Sequence, residues 1–352
     1  MAAIGAVGAG GGSPRVRLVE YATLGLLTLI WGTTWAAIRI GLRGIPPFTG
    51  VALRFAIGAA ALLAAARAAG VPLWRANPDA ATPTPRPSSA PAGAAGLPRS
   101  PAPAVAGRPR SSAPAPAAGS PWRVWLANAA LTFCIPYGVL YWGEQWVPSG
   151  LAAVLFATSP LWVALAAHVA LPGERLRGAT LAGVLIGFAG VAVIFSEDLR
   201  ALGGPRVAGA AALLLLAPLT ASIGVVAMKR WAAGMHPLTI VAMPMALTAA
   251  AMGCVALATE AGQPVRLAGL PLAALLYLAL CGSALSFTLY FWLLGRLPAT
   301  TLSLINYLTP IVALLIGGAA LGEPFTPRTL AGSALVVGGV AVAMRVRAAP
   351  AT

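Results

Sequence analysis

The chain has 352 residues, of which 59% are hydrophobic and only 9% charged, and its formal net charge is +15. Soluble domains carry about 25% charged residues, so a chain that meets water on every side is excluded. With a mean hydropathy of +0.85, it reads as an all-α membrane protein with many crossings.

Residues 1–17, "MAAIGAVGAGGGSPRVR", are Gly-rich and lack the charged start and short apolar core of a cleavable signal. They are expected to be a disordered tail, with residues 347–352 forming another. Ten spanning helices are predicted over 18–41, 48–69, 122–144, 149–171, 177–196, 206–230, 237–259, 267–292, 298–321 and 326–346. Each is close to the ~20 residues needed to cross a bilayer. Pro and Gly punctuate the joints at "GIPPF", "VPSG", "LPGERLRG", "RLPAT" and "LGEPFTP". Between helices 2 and 3, residues 70–121 are Pro, Ala and Ser with scattered Arg and no apolar periodicity. Such a segment buries too little to fold and is expected to be a disordered cytoplasmic linker.

Charge counting gives the expected orientation. With the N-terminus cytoplasmic, the cytoplasmic segments hold sixteen Arg and Lys and the opposite side holds five, Arg43, Arg200, Arg206, Arg266 and Arg328. Five of the sixteen lie in the linker and two more, Arg67 and Arg123, flank it, and the nine that remain still outnumber five. Both termini are therefore expected in the cytoplasm, with the chain in the plasma membrane. The basic excess is a topology signal, so nucleic acid is not an implied partner. Cys134, Cys254 and Cys281 are odd in number and sit within apolar runs, as small buried side chains do.

The second half echoes the first. "LAGVLIGFAGVAVI" (181–194) returns as "LAGSALVVGGVAVAM" (330–344). Gly183 pairs with Gly332, Gly190 with Gly339, Glu174 with Glu323 and Tyr141 with Tyr290 at an offset of 149, and Pro160 with Pro310 at 150. Earlier positions, Arg39 with Lys229 and Pro47 with Pro237, pair at 190. The difference matches the length that the linker adds to the first copy. Each copy holds five helices, an odd number, so the second must cross in the opposite sense. The expected fold is thus two inverted five-helix repeats, 18–196 and 206–346. That architecture suits secondary transporters, which alternate access at a site between the repeats.

Polar groups within apolar runs mark the candidate site, since burial there is costly unless a cavity or partner receives them. On helix 1, Trp31, Thr34 and Trp35 share one face, and Arg39 follows Trp35 by one turn. Such a face suits a flat or carboxylated solute, while packing of the Trp rings and Thr bonds to their own backbone would serve structure alone. Arg39 lies at the outer end, where it can also reach the headgroups. Arg54 falls roughly 10 Å inside helix 2 and is expected either to bind a solute carboxylate or to pair with Glu144. Tyr137, Tyr141 and Glu144 line helix 3. Helix 8 repeats the theme with Ser283, Ser286, Phe287 and Tyr290, helix 4 adds Thr158, and helix 9 adds Asn306 and Tyr307. Pro160 and Pro310 are expected flex points. Gly183, Gly187, Gly190, Gly332 and Gly339 have the spacing of tight helix packing.

"WGTTWAAIRIGLRGIPPFTGVALRF", "EQWVPSGLAAVLFATSPLWVAL", "GERLRG" and "LSLINYLTPIVALLIGGAALGEPFT" resemble the EamA-type members of the drug/metabolite transporter superfamily. The resemblance covers nearly all of the chain outside the tail and the linker, which that family does not usually carry. It implies ten helices in two inverted EamA units, a central cavity and movement of small metabolites, often outward.

The expected function is secondary-active export of small polar metabolites such as amino acids or related carboxylated compounds, by a monomer or weak homodimer. An exporter of cationic drugs and a carrier of lipid-linked metabolites are the alternatives. A cation site would call for an acid at a helix midpoint, and none is predicted. No ATP-binding loop is present, neither cofactor nor metal is expected, and protons are the candidate coupling ion, with Glu144 the acid placed to exchange them. With two His, His168 and His236, in unrelated places, an intramembrane enzyme has little support. A channel lacks a filter-like loop or charged ring.

Overall fold

The computed structural model describes residues 14–71, 121–170, 178–195, 204–232, 235–294, 305–322 and 326–345. Side chains at a few helical positions, Asn306 and Tyr307 among them, lie outside the described set, as do the expected tails, residues 72–120, Glu174 and Glu323. The described residues form helices and turns, with no strand among them.

Taken as continuous rods, the helices are α1 (Pro14–Gly41), α2 (Pro47–Ala68), α3 (Pro121–Gly143), α4 (Ser149–Ala170), α5 (Gly178–Phe195), α6 (Pro205–Trp231), α7 (Pro237–Thr259), α8 (Gly269–Leu293), α9 (Ile305–Leu321) and α10 (Pro327–Arg345). Seven of them, α1–α4 and α6–α8, are long and apolar enough to cross a membrane. Prolines open α2, α6 and α7, where a missing N–H goes unfelt and φ is already helical. The α2 helix closes through Gly70, whose φ of 64° is left-handed. Val71 N–H then reaches the Ala66 carbonyl at 2.9 Å, the hydrogen bond that ends many helices. Pro121, predicted as the last linker residue, instead opens α3.

Four rods are irregular inside. The α4 helix breaks at Ala157 and Thr158, just ahead of Pro160, and α6 turns at Leu215, three residues ahead of Pro218. The α3 and α8 helices each contain a π-helical turn, at Ala129–Cys134 and Leu280–Leu285. These two turns are 151 residues apart, within two residues of the offset of 149 that pairs Tyr141 with Tyr290. In both, the next N–H reaches five residues back, Ile135 to Ala130 and Ser286 to Cys281. Such a turn is wider by one residue and leaves carbonyl groups turned off the helix axis, which is why π turns gather at functional sites.

Packing follows the sequence echo. The α2 helix lies along α7 and α5 along α10, while α4 meets α9. The α1 helix touches α8 and α9, and α6 touches α3 and α4. Exchanging α1–α5 with α6–α10 returns the same neighbours, so the bundle is organised about a two-fold relation between its halves. The α5–α10 contact is backbone against backbone. A Cβ added at Gly190 would stand 2.7 Å from both the Gly332 carbonyl oxygen and the Val336 nitrogen, so glycine alone permits this approach. The main core joins both halves through Trp35, Phe55, Phe133, Leu155, Met245, Leu278 and Phe287.

Candidate functional site

The centre of the bundle is built around Arg54. It lies on the buried face of α2 and is only 1% exposed. A cation at that depth must have its donors filled by protein, and three groups fill them. Nε donates to Ser283 Oγ at 2.7 Å, one terminal nitrogen to the Tyr141 hydroxyl at 3.3 Å, and the other to the Gly282 carbonyl at 3.1 Å. Ser283 and Gly282 both belong to the π turn of α8. A side chain from the first half therefore occupies a backbone acceptor of the second. The guanidinium also stands 4.7 Å from the Tyr137 ring centroid and within 6 Å of Phe55 and Tyr141, inside the range of cation–π attraction. Glu144, at the end of α3 three residues beyond Tyr141, is fully buried.

Aromatic rings extend from this point across the molecule. Tyr137 meets Phe55 edge-on at 4.9 Å, Phe55 meets Phe133 at 5.3 Å, and Phe133 meets Phe287 at 5.0 Å. Phe287 then contacts Trp31 at 5.6 Å, and Trp31 contacts Tyr290 at 5.4 Å. One turn along α1, Trp35 packs edge-on against Phe156 of α4 at 5.6 Å. The rings on α1, α2, α3 and α8 form one column, with offset and tilted geometries that favour aromatic contact. A narrow apolar cleft beside the column is lined by Leu42, Ile45, Tyr141, Leu275 and Leu278.

The remaining predicted residues fall in several places. Thr34 is buried, and its hydroxyl donates to the Trp31 carbonyl at 2.7 Å, so it serves its own helix. Its methyl group faces Gly282, where an added Cβ would lie 2.9 Å away. Thr158 is also buried, and its hydroxyl donates to the Leu155 carbonyl at 2.7 Å, inside the α4 break. Arg39 turns to the end of α3, where it donates to the backbone carbonyls of Glu144 and Val147. That is the favoured place for a cation, at the negative end of a helix. Pro160 stands at the start of the second α4 segment. Pro310 lies within an uninterrupted α9, where Thr309 donates back to Ile305. Asn306 and Tyr307 lie on α9 with side chains outside the described residues.

Three polar residues important to this arrangement carry little signal in the sequence. Asn128 is fully buried and donates from Nδ2 to the Ile240 carbonyl at 2.8 Å. That carbonyl lacks its helix partner because Pro244, four residues on, has no N–H. A proline inside an apolar run is the available clue, since it calls for a donor from a neighbour. Glu260, at the end of α7, accepts the backbone N–H groups of Phe48 and Thr49 at 2.8 Å and the Thr49 hydroxyl at 2.6 Å. It thereby caps α2 from the other half of the chain, where negative charge suits the helix dipole. Beside it, the Arg266 N–H bonds the Gly44 carbonyl at 2.8 Å. Ser222 of α6 donates to the Ser159 carbonyl at 3.0 Å, which satisfies backbone exposed at the α4 break.

Comparison with known proteins agrees with this two-part build. The model of the EamA-like transporter family matches residues 92–196 and again 208–345, and each stretch contains one of the π turns. The transporter YoaV of Bacillus subtilis, named as uncharacterized, is 24% identical over 89% of this chain and 92% of its own length. The inner membrane transporter YedA of Escherichia coli, also named as uncharacterized, is 27% identical over 88% of this chain and 85% of its own. A protein of Streptantibioticus cattleyicolor named "Probable terminal-alkyne amino-acid exporter" is 32% identical over 57% of this chain and 66% of its own. A crystal structure described only as that of a protein superposes with a TM-score of 0.59 and 23% identity, covering 93% of this chain and 97% of that one, which speaks for the fold. A bundle of membrane-crossing helices whose halves share one packing pattern, matched twice by one family model, belongs to the EamA-like transporter family of the drug/metabolite transporter superfamily.

Proposed function

We propose that the chain is a secondary-active carrier exporting small polar metabolites, amino acids or related carboxylated compounds, across the plasma membrane by alternating access. The observation that carries this reading is the aromatic column where α1, α2, α3 and α8 meet. It sits between the halves, where a carrier with inverted repeats binds its solute. The name of the Streptantibioticus relative supports an amino-acid-like cargo.

In this reading α5, α9 and α10 complete ten crossings, and the units 18–196 and 206–346 cross in opposite senses. Both termini face the cytoplasm, as the distribution of Arg and Lys favours, and Glu260 then lies at the outer face. Arg54 holds the α8 π turn in place, and the α4 break before Pro160 supplies a flexible joint. Protons are the coupling ion, and the working unit is a monomer or weak homodimer.

The test is uptake of a labelled metabolite panel into proteoliposomes, with and without a pH gradient. Saturable uptake of carboxylated metabolites that rises with the gradient is the expected result. Flux that never saturates would point to a channel, and uptake confined to organic cations would overturn the substrate class.

A further inference from the structure

The donors on the inner face of α1 are nearly all in use. Thr34 bonds to the Trp31 carbonyl, Thr33 to the carbonyls of Leu29 and Ile30, and Arg39 to the end of α3. Two remain. The indole Nε1 atoms of Trp31 and Trp35 are buried and have no hydrogen-bond partner among the described residues. Trp35 as a whole is only 6% exposed. An indole nitrogen donates and never accepts, and leaving such a group dry and unfilled is costly. Two of them, one helical turn apart on one face, make a place that lacks an acceptor.

The nearby cation does not compete for that acceptor. Arg54 is enclosed by Ser283, Gly282 and Tyr141. The surroundings of the two indoles are ring faces and edges, Phe156 beside Trp35 and Phe287 and Tyr290 beside Trp31. Neutral donors among aromatic faces favour a solute without net charge, since Arg54, the cation at the centre, already has its donors filled. A zwitterion fits both elements: its carboxylate takes the indole N–H groups, and its ammonium group rests on ring faces, which are electron-rich.

We infer that Trp31 and Trp35 are the residues that read the solute, donating from their indole nitrogens to the carboxylate of a zwitterionic amino-acid-type solute. This rests on the carrier reading above and assigns recognition to two neutral donors rather than to Arg39 or Arg54. Trp162 supplies the control. Its Nε1 is equally buried without a partner among the described residues, but it packs on Phe188 of α5, away from the column.

The experiment uses Trp31→Phe, Trp35→Phe and Trp162→Phe in proteoliposomes, each of which removes the N–H and keeps a ring. The probes are an amino acid that the parent carries and the amine that lacks its carboxylate. A hydrogen bond to a charged group corresponds to roughly a tenfold effect or more, so the KM for the amino acid should rise about tenfold in Trp31→Phe and in Trp35→Phe. Preference over the amine should fall by the same factor, and Trp162→Phe should match the parent. The two variants test the same prediction, so one that folds suffices if the other does not. Unchanged KM and preference in the folded variant overturn the inference while leaving the carrier intact. A parent that carries no amino acid overturns the underlying substrate class, and the inference with it.

Discussion

The two π turns occupy matching places in the two halves, yet they are held differently. At the α8 turn, a buried cation from α2 makes three hydrogen bonds and lies against three rings. The offset of 190 that pairs Arg39 with Lys229 places Pro244 opposite Arg54. At the α3 turn there is accordingly no cation from α7. Pro244 instead exposes the Ile240 carbonyl, and Asn128, just ahead of the turn, satisfies it with one neutral hydrogen bond. The small contacts are also exchanged between halves. Thr34 of α1 faces Gly282 of α8, whereas Gly224 of α6 faces Thr132 of α3, with 2.5 Å between that hydroxyl and an added Cβ. The Thr132 hydroxyl is buried without a partner among the described residues. Two-fold packing thus survives while the polar chemistry is concentrated on one side, and the α2–α8 side is held more firmly than the α3–α7 side.

The strongest challenge to that contrast is Arg54→Ala. It leaves the Gly282 carbonyl, Ser283 and Tyr141 without their shared donor, and the expected loss of stability is about 3 kcal/mol. Reversible unfolding of the purified protein in mixed micelles measures it. Arg54→Lys should recover part of the loss, because an ammonium keeps the charge but not the planar fork. A loss for Arg54→Ala no larger than that for Asn128→Ala would mean the two sides are held alike.

Glu260→Ala removes the cap from α2 and should cost about 1–2 kcal/mol. The corresponding helix, α7, is capped by His236, whose Nδ1 accepts from its own neighbour Leu238 at 3.2 Å. Hydrogen exchange should therefore rise at Phe48 and Thr49 in the Glu260 variant and stay unchanged at the start of α7. Equal change at both ends would show that the cap acts through the whole bundle.

Asn128→Ala should cost about 1 kcal/mol, in line with measured hydrogen bonds between membrane helices. The informative comparison is with Pro244→Ala. An alanine there restores the N–H that the Ile240 carbonyl lacks, so Asn128→Ala should cost less in that background than in the parent. A double-mutant cycle with no coupling would detach Asn128 from the proline. The smallest effect is expected from Thr132→Val, within about 0.5 kcal/mol of the parent, since no hydrogen bond among the described residues is lost.

The periodic features were legible in the sequence. Apolar runs, proline openings and the glycine echo announced helices, their order and the closely packed faces of α5 and α10, because each depends on local spacing, though not that these two faces meet each other. Trp31, Trp35, Arg54, Tyr137, Tyr141 and Tyr290 stand out in the sequence as costly or bulky groups in apolar runs; the structure brings Trp31, Tyr137 and Tyr290 into one column, with Arg54 and Tyr141 against its end and Trp35 one turn along α1. What spacing does not encode is who satisfies whom. Arg54 had two plausible partners along the chain, a solute or Glu144, and its actual acceptors include a carbonyl that faces it only because α8 widens into a π turn. Nothing in "LCGSAL" declares that turn, and α8 has no proline just after it such as Pro136 in α3. Glu260, at the edge of an apolar run, looks like a solvent-facing loop residue, and its targets are more than two hundred residues away.

The π turns also bear on how the helices can move. One lies in each stretch matched by the family model, and a widened turn is where a helix most easily changes its winding. At α8 that change is not free, because Arg54 holds Ser283 and the Gly282 carbonyl. Any rotation of α8 about its turn must carry α2 with it or break both hydrogen bonds, which makes α2 and α8 one mechanical unit.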